Sequence, residues 1–311
     1  MDLRQLRYFV GISEAGSLLK AATRLHVAQP SLSQQLAALE QELGARLLLR
    51  SSRGVSLTPA GQVFLEHARV VLADVERARM AVRDEGTVLR GEVAVGLPTT
   101  LAMAATLPIL QACRARFPQV RLKLVEAYSG FLREWLLAGR LDVGVLLGDA
   151  PEPGLAKLPL LEEQLVLVTA ADPARPHPLP AELPLAALAH WPLVLPGREH
   201  GLRRVIDEAC APLDVTLDVV AEIEALASVK RAVEAGLGAT ILPPGSVAAE
   251  VAAGRLQAAR LTQPGIRRRV VCATHVARPG TAATHAVQAL VVEVIQRMVA
   301  QGEWPARWIG A

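Results

Sequence analysis

Four small hydrogen-bonding side chains, Ser31, Ser33, Gln34 and Gln35, follow Pro30 in the stretch GSLLKAATRLHVAQPSLSQQLAALEQE, residues 16–42. Such groups read surfaces rather than break bonds. A glutamine can pair with adenine through two hydrogen bonds, and serine hydroxyls suit phosphate oxygens or base edges. Leu32, Leu36, Leu39 and Leu43 recur at spacings of four, three and four. That period predicts a helix which buries one stripe and turns its serines and glutamines to water. Ser17 is placed to cap a preceding helix through Leu18, Ala21, Ala22 and Leu25. The residues His26, Val27 and Ala28 make a connection of the length a tight turn needs, Gln29 can cap the second helix, and Pro30 suits its first position. Two helices joined this way have the layout of a helix-turn-helix, whose second helix enters the DNA major groove N-terminus first. An ordinary αα-hairpin with a solvated polar face would satisfy this segment taken alone.

The flanking elements favour the DNA-reading layout. Residues 2–15, with Leu3, Leu6 and Val10 ahead of Gly16, predict a supporting first helix ended by glycine. Residues 45–58, ARLLLRSSRGVSLT, place two short apolar runs around a turn carrying Arg50, Arg53 and Gly54. This is hairpin or wing chemistry, and an arginine at a wing tip can reach phosphates or a narrow minor groove. Charge points the same way. Residues 1–58 hold Arg4, Arg7, Lys20, Arg24, Arg46, Arg50 and Arg53 against Asp2, Glu14, Glu40 and Glu42, so the whole net charge of +3 sits there. The excess is modest, and dimerisation would be needed to double the phosphate contacts.

Residues 59–85 predict one long helix. Phe64, Ala68, Val71, Val75, Ala78 and Val82 recur at alternating gaps of four and three, a heptad seam that suits a dimerisation rod roughly 40 Å long. Beyond a hinge at residues 86–91 the pattern changes to short apolar strands alternating with helices: strands at 92–97, 120–126 and 142–147, with helices between. That order implies a parallel sheet with helices on its faces. A second α/β unit spans about 165–261, with strands at 193–195, 215–223 and 239–242. A strand at 269–275 and a helix at 281–299 then return to the first unit.

Several function classes find no support. The opening MDLRQLRYFV lacks the basic-then-apolar layout of a signal peptide, and the uncharged residues 93–113 are interrupted by Gly96, Pro98 and Pro108, so no membrane span is expected. Cys113, Cys210 and Cys272 are far apart and form no metal-ligand spacing; buried free thiols in a reducing cytoplasm are expected. The chain carries no nucleophile elbow, phosphate loop, dinucleotide fingerprint or zinc-protease motif, so neither catalysis nor a cofactor is expected.

The segments LRQLRYFV, GSLLKAATRLHVAQPSLSQQLAALEQELGARLL and RSSRGVSLTPAG, then GEVAVGLP, FPQV, GRLDVGV and VEAGLGATILP in that order, resemble a LysR-type transcriptional regulator along the full length. Within that family, AEIEALASVKRAVEAGLGATILP and the wing are most similar to the nitrogen-assimilation-control group. The resemblance implies an α/β multidomain protein in three parts. These are a winged helix-turn-helix (1–58), a linker helix and hinge (59–90), and a two-lobed effector domain resembling periplasmic binding proteins (91–311). Lobe I would comprise 91–162 and 264–311, and lobe II 163–263. The DNA-binding set would be Gln29, Pro30, Ser31, Ser33, Gln34, Arg50 and Arg53. The turns lining the effector pocket would hold Thr99, Thr100, Ser129, Gly130, Gly148, Arg203 and Glu224, suited to a small, anionic metabolite. The resemblance also implies a pseudo-palindromic site on double-stranded DNA, a dimer that goes on to a tetramer, and RNA polymerase as a possible partner. The alternative is a DNA-binding protein whose C-terminal domain is merely structural and which is controlled by its own abundance.

Overall fold

The computed structural model describes residues 1–51, 54–83, 88–171, 179–278 and 280–310. The chain forms two compact units, Met1–Gly86 and Thr87–Ala311.

The first unit begins with helix α1 (Leu3–Ala15), α2 (Leu18–Leu25) and α3 (Gln29–Leu43). Asp2 and Gln5 cap α1 reciprocally: the Asp2 carboxylate accepts from the Gln5 amide at 2.8 Å, and Gln5 Oε1 accepts from the Asp2 amide at 2.9 Å. Ser17 caps α2 as its sequence position requires. The expected Gln29 cap is corrected. Ala28 is the extended residue before α3 and Gln29 is already helical, with no side chain capping that end. Strands β1 (Leu48–Ser51) and β2 (Gly54–Leu57) form an antiparallel wing. Gly54 has φ of +125°, and a Cβ there would stand 2.6 Å from the Gly16 carbonyl oxygen. That oxygen accepts from the Val55 amide at 2.9 Å, stitching the wing to the turn between α1 and α2. Thr58 Oγ1 accepts from the Gly61 amide at 2.9 Å and so caps α4 (Pro59–Arg83).

Helix α4 departs from the simple rod. Phe9 and Ile12 of α1, Leu32 and Leu36 of α3, and Leu65 and Ala68 of α4 share one core. Phe64 meets Phe9 edge to face with centroids 5.1 Å apart. Two expected seam positions, Phe64 and Ala68, are therefore committed inside the first unit, where the apolar stripe of α1 needs a cover.

The second unit opens with β3 (Gly91–Pro98), α5 (Thr99–Arg116), β4 (Val120–Ala127), α6 (Ser129–Leu137) and β5 (Val143–Leu147), the predicted alternation. Next comes β6 (Leu155–Gln164), which runs directly into β7 (Val166–Ala170) of the second lobe. Lobe II continues with β8 (Glu182–Pro184), β9 (Pro192–Leu195), α7 (Gly201–Cys210), β10 (Asp218–Glu222), α8 (Leu226–Glu234), β11 (Thr240–Leu242), α9 (Ala248–Ala252) and β12 (Leu256–Thr262). The chain returns through β13 (Arg267–His275), α10 (Ala282–Ala300) and β14 (Arg307–Trp308).

The lobe I sheet has the order β14-β6-β13-β5-β3-β4. Its β4, β3, β5 and β6 run in one direction, while β13, inserted between β5 and β6, and β14 at the edge run against them. The expected parallel sheet is thus a mixed one, because the returning strand comes back from lobe II against the direction of β5. Helices α5 and α10 cover one face of this sheet and α6 the other. Lobe II holds its own core, built on the sheet β11-β7-β12-β8 and the parallel pair β9 and β10. No helix among the described residues is long and apolar enough to cross a membrane.

Candidate functional site

Two surfaces gather the residues singled out by the sequence. On α3, Gln29, Pro30, Ser31 and Gln34 are exposed and Ser33 is half-buried, while Leu32, Leu36 and Leu39 face the core. The uncapped N-terminal turn leaves backbone N–H groups outward, where they suit a phosphate. Arg50 Nη2 donates to Ser33 Oγ at 3.0 Å, so the wing brings its arginine onto the same helix face. Arg53 lies outside the described residues. The four acids of residues 1–58 are each tied down. Asp2 caps α1, Glu14 pairs with Arg69 at 3.0 Å, Glu40 accepts from the Leu47 amide at 2.7 Å, and Glu42 meets the N-terminal ammonium. Lys20, Arg24, Arg46 and Arg50 are exposed and supply positive charge at the surface of this unit. On α4, Val71 and Ala78 are exposed, Val75 is half-buried, and the Val82 side chain lies outside those described. Val63, at 60 % exposure, was absent from the heptad reading and lies beside that seam rather than on it.

The second surface is a cleft between the lobes, with a cavity of about 40 Å³, room for roughly three waters. Lobe I contributes Thr99 and Thr100 at the start of α5, Tyr128 and Ser129 at the start of α6, and Arg268 from β13; lobe II contributes His200, Glu224 and Thr240. Neither α5 nor α6 has a side chain capping its N-terminus, so first-turn N–H groups and their partial positive charge remain available there. Ser129 Oγ accepts from the Leu147 amide at 3.1 Å, which ties α6 to the end of β5.

Arg268 is the most constrained polar group in this cleft. Its side chain is 2 % exposed and meets Glu163, also 2 % exposed, at 2.6 Å. Arg268 Nη2 also donates to Thr100 Oγ1 at 2.9 Å, while the second oxygen of Glu163 accepts from Trp304 Nε1 at 3.0 Å. On the lobe II side, His200 Nδ1 accepts from the Leu202 amide at 3.0 Å, which leaves the proton of the neutral ring on Nε2. Burial holds His200 below its ordinary pKa, opposed by Glu224 and reinforced by Arg268 and Arg204. Burial, with the Glu224 charge second, raises the Tyr128 phenol. Glu224 accepts from the Gly197 amide at 2.9 Å. Thr240 is 1 % exposed, and its Oγ1 has no hydrogen-bond partner among the described residues. A hydroxyl left so costs about 1–3 kcal/mol.

Three expected pocket residues fall elsewhere. Arg203 is 4 % exposed and does not line the cleft; it donates to the Pro196 carbonyl at 3.1 Å, to Glu222 at 3.3 Å and to Asp207 at 2.9 Å. The guanidinium clamps α7 to the ends of β9 and β10, because a side chain in the first turn of a helix leans back toward its N-terminus. Gly148 belongs to an adjoining groove with Asp149, Glu208, Arg267 and Arg269, which shares Arg268 with the cleft but not Gly148. Gly130, second in α6, does not line the cleft. Tyr128, Thr240 and Arg268 are polar lining residues that the sequence reading omits, as it does most of the apolar lining. Arg268 had a signal: in the run Arg267-Arg268-Arg269 a strand must turn one arginine inward, but a strand begun at residue 269 assigns it no face.

The thiols are buried and unpaired: Cys113, Cys210 and Cys272 are at most 2 % exposed. Burial pushes the Cys210 thiol up to about 11, with Asp207 adding to it, and the Cys272 thiol up to about 12. Cys113 is raised by burial as well. Since the thiolate is the reactive form, the native protein should be inert to Ellman's reagent at pH 7 over several minutes and react fully once unfolded. Fast labelling of any one thiol in the native state would contradict this burial.

Residues 3–62 match the model described as bacterial regulatory helix-turn-helix protein, lysR family, and residues 86–296 match the LysR substrate binding domain. The chain is 40 % identical over 268 residues to the nitrogen assimilation regulatory protein nac of Klebsiella aerogenes, covering 86 % of each chain. Among solved structures, full-length CbnR complexed with its target DNA aligns with a TM-score of 0.68 at 27 % identity, over 96 % of this chain and 99 % of that one. A full-length OxyR variant from Pseudomonas aeruginosa aligns at 0.71 and 27 % identity, over 95 % of each chain. With a reader and an effector domain in this order, the chain belongs to the LysR family of DNA-binding transcriptional regulators.

Proposed function

We propose that the cleft between the lobes binds a small metabolite bearing a carboxylate, and that its occupancy controls transcription from promoters held by the α3 face. The observation that carries this reading is the convergence of two uncapped helix N-termini, the Thr99, Thr100 and Ser129 side chains and the Arg268 guanidinium on one cleft. Two N-termini and a cation can share one carboxylate without a conformational penalty at the moment of binding. Val71, Val75 and Ala78 would carry self-association along α4, giving a dimer that reads a pseudo-palindromic site and that can assemble further to a tetramer. The similarity to a nitrogen assimilation regulatory protein supports target genes in nitrogen metabolism and a cytoplasmic protein.

A thermal-shift screen of the full-length protein against small organic acids tests this reading. A ligand present at 100 times its Kd adds about 2.7 kcal/mol. For the Thr87–Ala311 unit that is a rise on the order of 5–10 °C. The rise should vanish in Thr100→Val and be accompanied by altered protection of promoter DNA. A full rise in Thr100→Val, or no saturable ligand at all, would instead favour a regulator controlled by its own abundance.

A further inference from the structure

The charges of the cleft are not those of a simple anion site. The charge of Arg268 is already matched by Glu163 at 2.6 Å, with both side chains 2 % exposed. Glu224 also lines the cleft, and accepts from the Gly197 backbone amide at 2.9 Å. Among the described residues no Lys, Arg or His stands within ion-pair distance of Glu224. Of the two charged groups that line the cleft, Arg268 is thus matched by an ion pair, while Glu224, exposed at the rim, is left to solvent. A ligand that is only an anion meets Glu224 uncompensated, whereas one that also carries an ammonium group pairs with it. Glu224, His200 and Arg268 line one small cleft, so a single small molecule held there faces all three. A further donor stands ready: Thr240 Oγ1, buried and without a partner, lies in the lobe II wall.

From these observations we infer that the effector is a small zwitterion of the α-amino acid class. Its carboxylate lies against Thr100 and the shared guanidinium of Arg268, and its ammonium group against Glu224. This inference rests on the cleft being an effector site, as proposed above, and adds the identity of the second recognised group. The cavity is small, so the smaller side chains fit best and the larger ones require the lobes to part.

Isothermal titration of the full-length protein with a panel of L-amino acids, each beside the acid lacking its amino group and the amine lacking its carboxylate, tests the assignment. At least one amino acid should bind about tenfold more tightly than its deamino acid, the ratio a charge-assisted hydrogen bond confers. Glu224→Gln keeps an oxygen to accept from the Gly197 amide, so the fold is preserved. In that variant the advantage of the amino acid should shrink to about twofold, with the deamino acid bound as well as before or better. If deamino acids bind wild type as tightly as amino acids, or if Glu224→Gln leaves the ratio unchanged, the zwitterion assignment falls while the effector cleft stands. Silence from every compound overturns both.

Discussion

Arg268→Met should lower the melting temperature of the Thr87–Ala311 unit by roughly 6–20 °C, the largest stability effect expected from any single polar residue of the cleft. The reason is the asymmetry of buried pairs. Removing the guanidinium strands the Glu163 carboxylate at 2 % exposure, with the Trp304 indole N–H as its remaining partner. Breaking a buried pair from one side costs about 3–5 kcal/mol, whereas replacing both partners by uncharged groups can be close to neutral. The double variant Arg268→Met/Glu163→Gln should therefore recover at least half of the loss, since glutamine can still accept from Trp304 Nε1. Tryptophan fluorescence is the suitable probe, because all four tryptophans, Trp135, Trp191, Trp304 and Trp308, belong to this unit. A single variant that melts within about 2 °C of wild type would show that water or a rearranged neighbour satisfies Glu163. A double variant no better than the single one would mean that the packing of the methylenes, not the charge, sets the cost.

Gln34→Ala should cost about 1–3 kcal/mol at each half-site, hence about 2–6 kcal/mol for a dimer on its cognate operator. Binding to random DNA should change within about twofold, because phosphate contacts are independent of sequence. The side chain is exposed on α3, one turn beyond Pro30, and the leucines beneath it hold the helix in place. Truncation to alanine removes only the reader, since alanine is the better helix former. Fluorescence anisotropy at fixed salt on cognate and scrambled duplexes makes the measurement. Equal losses on the two DNAs would assign Gln34 to the backbone, and no loss on either would remove it from the interface.

Much of the reader was legible in the residues alone, for reasons that operate over three or four positions. Leucine spacing sets the buried stripe of α3, Ser17 and Asp2 satisfy amides three residues on, and Gly54 permits a φ that other residues resist. The exception is instructive. Gln29 was the natural cap by position, yet the backbone turned one residue earlier, because a helix end with no strong capping side chain can begin at either place.

The alternation of strands and helices in residues 91–147 was equally local, and so was the placement of Thr99, Thr100 and Ser129 at strand-to-helix turns. What the pattern could not contain is partnership over distance. Arg203 and Arg268 look alike in sequence, two arginines near the ends of predicted elements. Arg203 closes on carboxylates of its own lobe, while Arg268 meets Glu163 from 105 positions away and faces the cleft. Likewise the heptad of α4 is a true period, but Phe64 and Ala68 serve the core of their own unit because α1 offers Phe9 and Ile12 to be covered. Helices, turns and the exposed polar face of α3 were thus settled by the chain itself, since hydrophobic period and capping are short-range. The direction of β13, the burial of Arg268 and the unpartnered Thr240 were decided only by the tertiary structure, where strand order and desolvation depend on residues that the chain brings together from far apart.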